Sequence, residues 1–99
     1  MRIISRRRLK EFWEQSAYVD SEQALKAWFD EARQASWKTP SDIKAQYKSA
    51  SILKDSRVVF NIHGNKYRLI VKINDDFSVI YIRFVGTHKQ YDKIDANEV

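Results

Sequence analysis

The chain has 99 residues, and it contains no cysteine, one proline and two glycines. Without cysteine there is no disulfide framework, no cysteine nucleophile and no thiolate metal ligand, a composition typical of a reducing cytosol. No run approaches the roughly 20 apolar residues that cross a bilayer. The basic start MRIISRRRLK also lacks the apolar segment of a secretory signal. We therefore expect a cytoplasmic protein that does not contact membranes.

Positive charge is concentrated in two stretches of an otherwise balanced chain. The first ten residues carry five basic side chains and no acidic one, and the whole chain has a net charge of +5. A second excess lies in residues 54–89, where seven basic residues face only Asp55, Asp75 and Asp76. Two basic clusters favour a polyanionic partner, with a merely solubilising surface as the alternative.

The first half of the chain shows the spacing of apolar side chains that is typical of helices. After a short strand, MRIIS, Ser5 would cap a first helix through about Gln15. Asp20 followed by Gln23 resembles the capping box of a second helix that ends near Ser36. The apolar stripes of these helices consist of Leu9, Phe12 and Trp13 and of Leu25, Trp28, Phe29 and Ala32.

A third helix start is predicted at Thr39–Asp42, where a proline suits the first helical position. This short helix would end near Lys48 and present Ile43 and Tyr47 to the core. The rings of Trp37 and Tyr47 would either stack on an RNA base or complete the core, and we favour the core.

From residue 57 onward the period changes from 3.6 to 2, which predicts strands. Three alternating runs, RVVFNIH, KYRLIVKI and SVIYIRFVG, are joined by turns at Gly64-Asn65 and around residues 74–76. They form an antiparallel meander, and MRIIS joins one edge of the same sheet. We predict a single α+β domain spanning residues 1–99, because two separate cores would each be too small.

The predicted strands have one apolar face and one mixed face. The apolar face, which the helices would cover, holds Val58, Phe60, Ile62, Tyr67, Leu69, Val71, Ile73, Ile80, Ile82 and Phe84. The mixed face gathers Asn61, Arg68, Lys72, Tyr81 and Arg83. Three cations without an acid favour an anion-binding surface, and a plain solvated face is the alternative.

The last strand leads into a segment with the residue types that RNA cleavage requires. Thr87 and Gln90 form a predicted capping box, His88 would be the first helical residue, and Tyr91 follows one turn later. Helix starts attract phosphate, histidine as a residue type exchanges protons near neutrality, and arginine binds phosphate oxygens in pairs. From the spacing alone, a lone histidine at a helix start is more often an ordinary surface residue than a catalytic one.

Two runs resemble the HigB family of type II toxin–antitoxin toxins, which have the RelE-type fold. They are VFNIHGNKYRLI, Val59–Ile70, and IRFVGTHKQYDKID, Ile82–Asp95, and the pattern Gly-Thr-His-x-x-Tyr-Asp is the more specific. The resemblance implies an N-terminal strand and helices packed on one face of a small, mainly antiparallel sheet. A three-stranded C-terminal meander and a short C-terminal helix complete that fold.

The resemblance also implies a function. By this resemblance the chain would be a ribosome-dependent endoribonuclease that cuts mRNA. We expect cleavage through attack of the 2′-hydroxyl on the phosphodiester, without a metal or other cofactor. A cognate helix-turn-helix antitoxin, HigA-like, would neutralise the toxin, and the complex would contact operator DNA only through the antitoxin. Two alternatives remain open: a non-catalytic RNA- or ribosome-binding module, and a protein-interaction domain with an acidic partner.

The family pattern assigns roles to the residues that match it. His88 and Tyr91 would transfer protons, while Arg83 and Arg68 would stabilise the phosphate. Asn61 and Asn65 also fall on family positions and would contact the RNA. Independently of the family pattern, we expect further RNA contacts from Lys72, Tyr81 and Lys89, and contacts with ribosomal RNA from Arg6, Arg7, Arg8 and Lys10. The N-terminal cluster would otherwise be a solvated helix face or an antitoxin contact. His63 departs from the small residue expected before Gly64, and we interpret it as a turn residue rather than an RNA contact.

Overall fold

The computed structural model describes residues 1–74, 76 and 78–99 of the chain. The described residues form five strands, four α-helices and one 3-10 helix. In chain order these are β1 (Arg2–Ile4), α1 (Arg6–Trp13), the 3-10 helix (Ser16–Ser21), α2 (Glu22–Gln34), α3 (Pro40–Gln46), β2 (Ser51–Ile52), β3 (Arg57–Ile62), β4 (Tyr67–Asn74), β5 (Val79–Thr87) and α4 (His88–Tyr91). Asp75, at the centre of the predicted second turn, lies outside the described residues. No helix of the described part is long and apolar enough to span a membrane.

The strands form one five-stranded sheet in the order β1-β5-β4-β3-β2. The predicted meander is confirmed, since β3 pairs with β4 and β4 with β5, both antiparallel. The N-terminal strand β1 takes the edge beside β5, and its pairing is parallel. Strand β2 on the opposite edge was not predicted, because two residues are too few to show an alternating pattern. The α+β class predicted from the sequence is confirmed.

The hydrophobic core lies between the helices and one face of the sheet. Residues Leu9, Phe12 and Trp13 of α1 and Leu25, Trp28 and Ala32 of α2 are buried there, as predicted. Trp37 is also buried, and its ring lies 5.9 Å from that of Phe60 in a stacked arrangement. The half-buried Tyr47 ring packs edge-on against Phe60 at 5.1 Å, so both aromatic residues belong to the core.

A β-bulge in β5 overturns one part of the predicted face assignment. Val71 is opposite Ile82 and Ile70 is opposite Phe84, so Arg83 is the extra residue and has no partner across the ladder. An inserted residue reverses which side of the sheet the following side chains take. Phe84 therefore shares the mixed face with Ile70, while Val85 packs against the core. The prediction that Phe84 faces the core was wrong for this reason.

One predicted helix start differs from the structure, and another has the predicted position without a capping hydrogen bond. Asp20 does not cap α2, which begins two residues later; its carboxylate instead accepts hydrogen bonds from the side chains of Lys66 and Tyr67. Ser5 occupies the N-cap position of α1, but its hydroxyl makes no capping hydrogen bond among the described residues. The helix start predicted at Thr39–Asp42 is confirmed, and the structure adds a capping box there: Thr39 Oγ1 accepts from the Asp42 amide at 3.3 Å and Asp42 Oδ2 accepts from the Thr39 amide at 3.0 Å.

The mixed face of the sheet is less open than the sequence predicts. Its central side chains Val59 and Ile70 are buried, at 3% and 0% exposure. The C-terminal residues lie against this face, because the Arg57 guanidinium donates to the Val99 carbonyl and α4 packs on β4 and β5. Among the described residues, the polar side chains Asn61 and Arg68 lie on one side of these buried apolar residues, and Lys72 and Tyr81 lie on the other.

Candidate functional site

One end of the mixed face, beside the turn between β3 and β4, brings together several predicted site residues. Asn61 and Arg68 are direct neighbours across β3 and β4. The Arg68 guanidinium donates to the Asn65 carbonyl at 2.8 Å, and its central carbon lies 5.9 Å from the centre of the Tyr91 ring. Arg68 is thus held between the turn and α4 by a carbonyl contact and a cation–π contact.

His88 reaches the same end of the sheet through α4. The predicted capping box is present, with Thr87 Oγ1 accepting from the Gln90 amide at 3.1 Å and Gln90 Oε1 accepting from the Thr87 amide at 2.9 Å. The His88 amide donates to the Lys66 carbonyl at 3.2 Å, which ties the helix start to the residue directly before β4. His88 and Tyr91 are one turn apart and therefore lie on the same side of α4.

Asp92 is a candidate functional residue that the sequence reasoning missed. Its Oδ2 lies 3.2 Å from His88 Nδ1, and both side chains are more than half exposed, at 57% and 53%. A carboxylate at this distance favours the imidazole tautomer with its proton on Nδ1, so that Nε2 is the nitrogen able to accept a proton. The spacing of four residues across a predicted helix was the signal that could have identified it.

The other end of the mixed face holds a separate polar group. Lys72 and Tyr81 are opposite each other on β4 and β5, and the guanidinium carbon of Arg83 lies 5.8 Å from the Tyr81 ring. These three side chains border an open cleft of about 430 Å³ that Asn74 and Asp76 also line. Lys72 lies four positions after Arg68 along β4, which corresponds to about 13 Å at the rise of an extended strand.

The predicted phosphate-binding pair is therefore divided between the two ends. Arg68 lies with Asn61, Asn65, Tyr91 and His88, whereas Arg83 lies with Lys72 and Tyr81. Lys89 is exposed on α4, next to His88. The bulge explains the separation, because it turns Arg83 out of the regular alternation that the sequence pattern suggests.

The basic residues of α1 have distinct surroundings. Arg8 donates to the Ile82 carbonyl of β5 at 2.7 Å, and Arg7 pairs with Glu11 at 2.8 Å while remaining largely exposed. The Arg6 guanidinium lies over the rings of Trp13 and Phe29 at 5.5 and 5.7 Å. Lys10 is exposed beside a surface cleft between α1 and α2. The structure does not bring this cluster to the sheet face that carries Arg68.

The second histidine, His63, lies in the turn between β3 and β4. Its φ of 54° and the φ of 66° at Gly64 are the left-handed conformations of a tight turn. His63 Nε2 is 3.9 Å from the Asp20 carboxylate. Hydrogen bonds from Lys66 and Tyr67, with the charge of Lys66, hold the pKa of Asp20 below its ordinary value. The turn interpretation of His63 fits these contacts.

No group of three or more His, Asp or Glu side chains within the described ranges is placed to hold a metal ion. The polar chemistry available at the Arg68 end is a guanidinium, an imidazole beside a carboxylate, a phenol and an amide. Together these groups can bind an anion and transfer protons.

Comparison with known proteins identifies relatives along most of the chain. Residues 21–94 match the family model described as HigB toxin, RelE-like toxic component of a toxin-antitoxin system. The mRNA interferase toxin HigB of Escherichia coli (strain K12) is 32% identical over 94 residues, which cover 93% of this chain and 88% of that protein. The mRNA interferase HigB proteins of Escherichia coli O157:H7 and Shigella flexneri match with the same identity and coverage.

The match covers the strands of the meander and the segment GTHKQYD, which suggested this family from the sequence. The chain therefore belongs to the HigB toxin family, the RelE-like toxic components of toxin–antitoxin systems, and a cognate antitoxin is its partner.

Proposed function

We propose that the protein is an mRNA interferase, an endoribonuclease that cuts mRNA on the ribosome and so stops translation and growth. The observation that carries this proposal is the grouping of Arg68, Tyr91, His88 and Asn61 at one end of the sheet in a chain whose relatives are named mRNA interferases. Its place of action would be the cytoplasm, where translation occurs. A helix-turn-helix antitoxin, HigA-like, would neutralise it and carry the contact with operator DNA.

The scissile phosphate binds at Arg68. A guanidinium presents several N–H donors in one plane, which suits two phosphate oxygens at once. The Asn65 carbonyl and the Tyr91 ring restrict the orientation of this guanidinium before RNA arrives. Asn61, directly across the ladder, offers an amide for the neighbouring ribose or base. Binding therefore requires little rearrangement, which favours reaction once the RNA is seated.

The chemical step is attack of the ribose 2′-oxygen on the adjacent phosphorus. A base removes the 2′-hydroxyl proton, the new O–P bond closes a 2′,3′-cyclic phosphate, and the bond to the 5′-oxygen breaks as an acid gives that oxygen a proton. His88 and Tyr91 carry the two proton transfers, and Asp92 holds the His88 ring in one tautomer. Arg68 stabilises the negative charge that grows on the phosphate oxygens. This route needs no metal ion or other cofactor.

The remaining basic residues bind RNA outside the reacting phosphate. Lys72, Tyr81 and Arg83 face the far end of the same sheet surface, where an RNA strand continuing along β4 would pass. Lys89 adds a cation beside His88. Arg7 and Lys10 offer exposed positive charge on α1 for ribosomal RNA phosphates.

The two histidines provide a matched test. His88→Asn should lower cleavage of a defined mRNA on purified ribosomes by at least about 100-fold, the usual contribution of a proton-transferring side chain. His63→Asn should leave the rate within about twofold, because asparagine tolerates the left-handed backbone of that turn. Equal rates for the two variants would refute the role of His88. Wild-type protein that binds ribosomes but leaves the mRNA intact would instead identify a non-catalytic ribosome-binding module.

A further inference from the structure

Helix α4 is too short to hold its own orientation. It has four residues, His88–Tyr91, and none of them is buried. Isolated helices of fewer than about 12 residues are marginal in water, so a single turn depends on contacts with the rest of the fold. The side chains that fix α4 therefore also fix the direction of His88 and Tyr91.

Gln90 connects α4 to the 3-10 helix. Its Oε1 accepts from the Thr87 amide at 2.9 Å, and its Nε2 donates to the Tyr18 hydroxyl at 3.1 Å. One amide side chain thus closes the capping box and bridges to a residue 72 positions earlier in the chain. Gln90 lies between His88 and Tyr91, so movement of its side chain is transmitted to both.

Tyr18 is itself held firmly. Its ring stacks on Phe12 with a centroid distance of 4.4 Å and an interplanar angle of 3°, and it meets the edge of Tyr67 at 6.2 Å. The Tyr18 carbonyl accepts from the buried Ser21 hydroxyl at 2.7 Å. Phe12 and Tyr67 belong to the core. The hydroxyl that meets Gln90 is therefore attached to a rigid aromatic cluster.

A second connection runs through Asp20, two residues after Tyr18. Its carboxylate accepts from the Lys66 ammonium and the Tyr67 hydroxyl. The Lys66 carbonyl in turn accepts from the His88 amide at 3.2 Å. The 3-10 helix consequently reaches α4 at two points, through Lys66 at His88 and through Tyr18 at Gln90.

We propose that Tyr18 is a positioning residue, which through Gln90 holds α4 so that His88 and Tyr91 face the phosphate bound at Arg68. This inference rests on the proposed cleavage of RNA at that site. Tyr18 does not touch the RNA. It restricts the angles that α4 samples, and a misplacement of about 1 Å at reacting groups can lower a rate by about 100-fold.

The test removes one oxygen atom. Tyr18→Phe keeps the ring that stacks on Phe12 and loses only the hydroxyl that meets Gln90. We expect cleavage of a defined mRNA at saturating ribosome concentration to slow about tenfold, within the range that misplacement produces. The ribosome concentration giving half-maximal rate should not change, because Arg68 and the α1 cations are untouched. Tyr47→Phe is the matched control: it removes a hydroxyl that donates to Glu31 on the α2–α3 side, and the cleavage rate should stay at the wild-type value.

A double-variant comparison separates positioning from general loss of stability. In a Gln90→Met background the Tyr18 hydroxyl has lost its contact with α4, so adding Tyr18→Phe should slow cleavage no further. If the double variant is slowed by the product of the two single factors, or if Tyr18→Phe cleaves at the wild-type rate, the inference is overturned. Equal slowing by Tyr18→Phe and Tyr47→Phe, in step with lower thermal unfolding midpoints, would overturn it as well. An inactive wild-type protein would instead refute the proposed cleavage activity.

Discussion

Gly86 lies directly before the capping residue of α4, at a point where a side chain has no room. A Cβ at this position would be 2.6 Å from Phe84 Cζ and 2.7 Å from Gln90 Oε1. Phe84 is the residue whose ring the bulge places on the mixed face. Gln90 Oε1 is the atom that accepts from the Thr87 amide and closes the capping box. A glycine at residue 86 is thus what allows Gln90 to reach back to Thr87.

The alanine variant measures this requirement. Gly86→Ala should expel Gln90 from the capping box and lower the free energy of unfolding by about 1–2 kcal/mol, as the loss of a helix cap does. The rate of mRNA cleavage on ribosomes should fall by more than the reduced folded fraction accounts for. Gly64→Ala is the control, since its φ of 66° strains any other residue but its Cβ would meet nothing within 4 Å. If both variants lose stability and cleave at the same rate, the capping box does not control the site.

At the scale of elements, the polar contact between the 3-10 helix and β4 runs through the Asp20 carboxylate, which accepts from the Tyr67 hydroxyl. Hydrogen bonds from Lys66 and then Tyr67 lower the pKa of Asp20, and the same contact raises the pKa of Lys66. A group whose folded pKa is lowered adds stability above its unfolded pKa, about 3.9 for aspartate, and that contribution is lost as the pH falls through the folded value.

Asp20→Asn tests this pH dependence with an isosteric side chain. The variant should be less stable than the wild type at pH 7, and the difference should shrink below about pH 4 as Asp20 becomes protonated in the wild type. Chemical denaturation of both proteins from pH 7 to pH 2.5 measures the difference directly. A stability gap that stays constant over this range would show that the charge of Asp20 does not support the contact.

The elements that the sequence predicted well have their causes in adjacent residues. The helix starts at Thr39 and Thr87 are local patterns, and the alternation of the β3–β5 meander follows from side chains that are themselves buried. The sequence-based prediction was wrong where the structure depends on contacts between residues far apart in the chain. Asp20 is followed by Gln23 as a cap would be, yet its carboxylate meets Lys66 and Tyr67, which no local pattern reveals.

In the candidate site, too, some features follow from sequence patterns and others depend on contacts between distant residues. Arg68, Tyr91 and His88 could be assigned from the family pattern, and their proximity then depended on the meander being right. The separation of Arg83 from Arg68 could not be foreseen, because the alternation in SVIYIRFVG looks uninterrupted and the bulge becomes visible only against β4. Asp92 was overlooked because it follows a helix of only four residues, where an i,i+4 contact with His88 is hard to predict from the sequence.

At the scale of the whole molecule, the net charge of +5 is not equally available to a polyanion. Arg8 is engaged with the Ile82 carbonyl and Arg6 with two aromatic rings, whereas Lys10 is exposed on α1. Formal charge counts all these residues alike. The structure divides them into cations that hold the fold together and cations that face outward.

The salt dependence of ribosome binding distinguishes the cations that hold the fold together from the cations that face outward. Lys10→Ala should lower the slope of log affinity against log salt concentration by about 0.7 to 0.9, the change for one lost phosphate contact, and leave stability unchanged. Arg8→Ala should leave the slope unchanged and lower the free energy of unfolding by about 1–2 kcal/mol, because it removes a charged hydrogen-bond donor from a carbonyl. The reverse pattern would show that Arg8, rather than Lys10, contacts the ribosome.

The bulge at Arg83 also bears on how chain length can vary in this fold. Because Ile82 and Phe84 already have their own partners, Val71 and Ile70, the ladder on either side of Arg83 is complete without it. A one-residue deletion there would join two correctly paired halves of β5, whereas a deletion elsewhere in the strand would exchange its inner and outer side chains. The fold can thus gain or lose this cation by insertion or deletion while its core keeps the same residues.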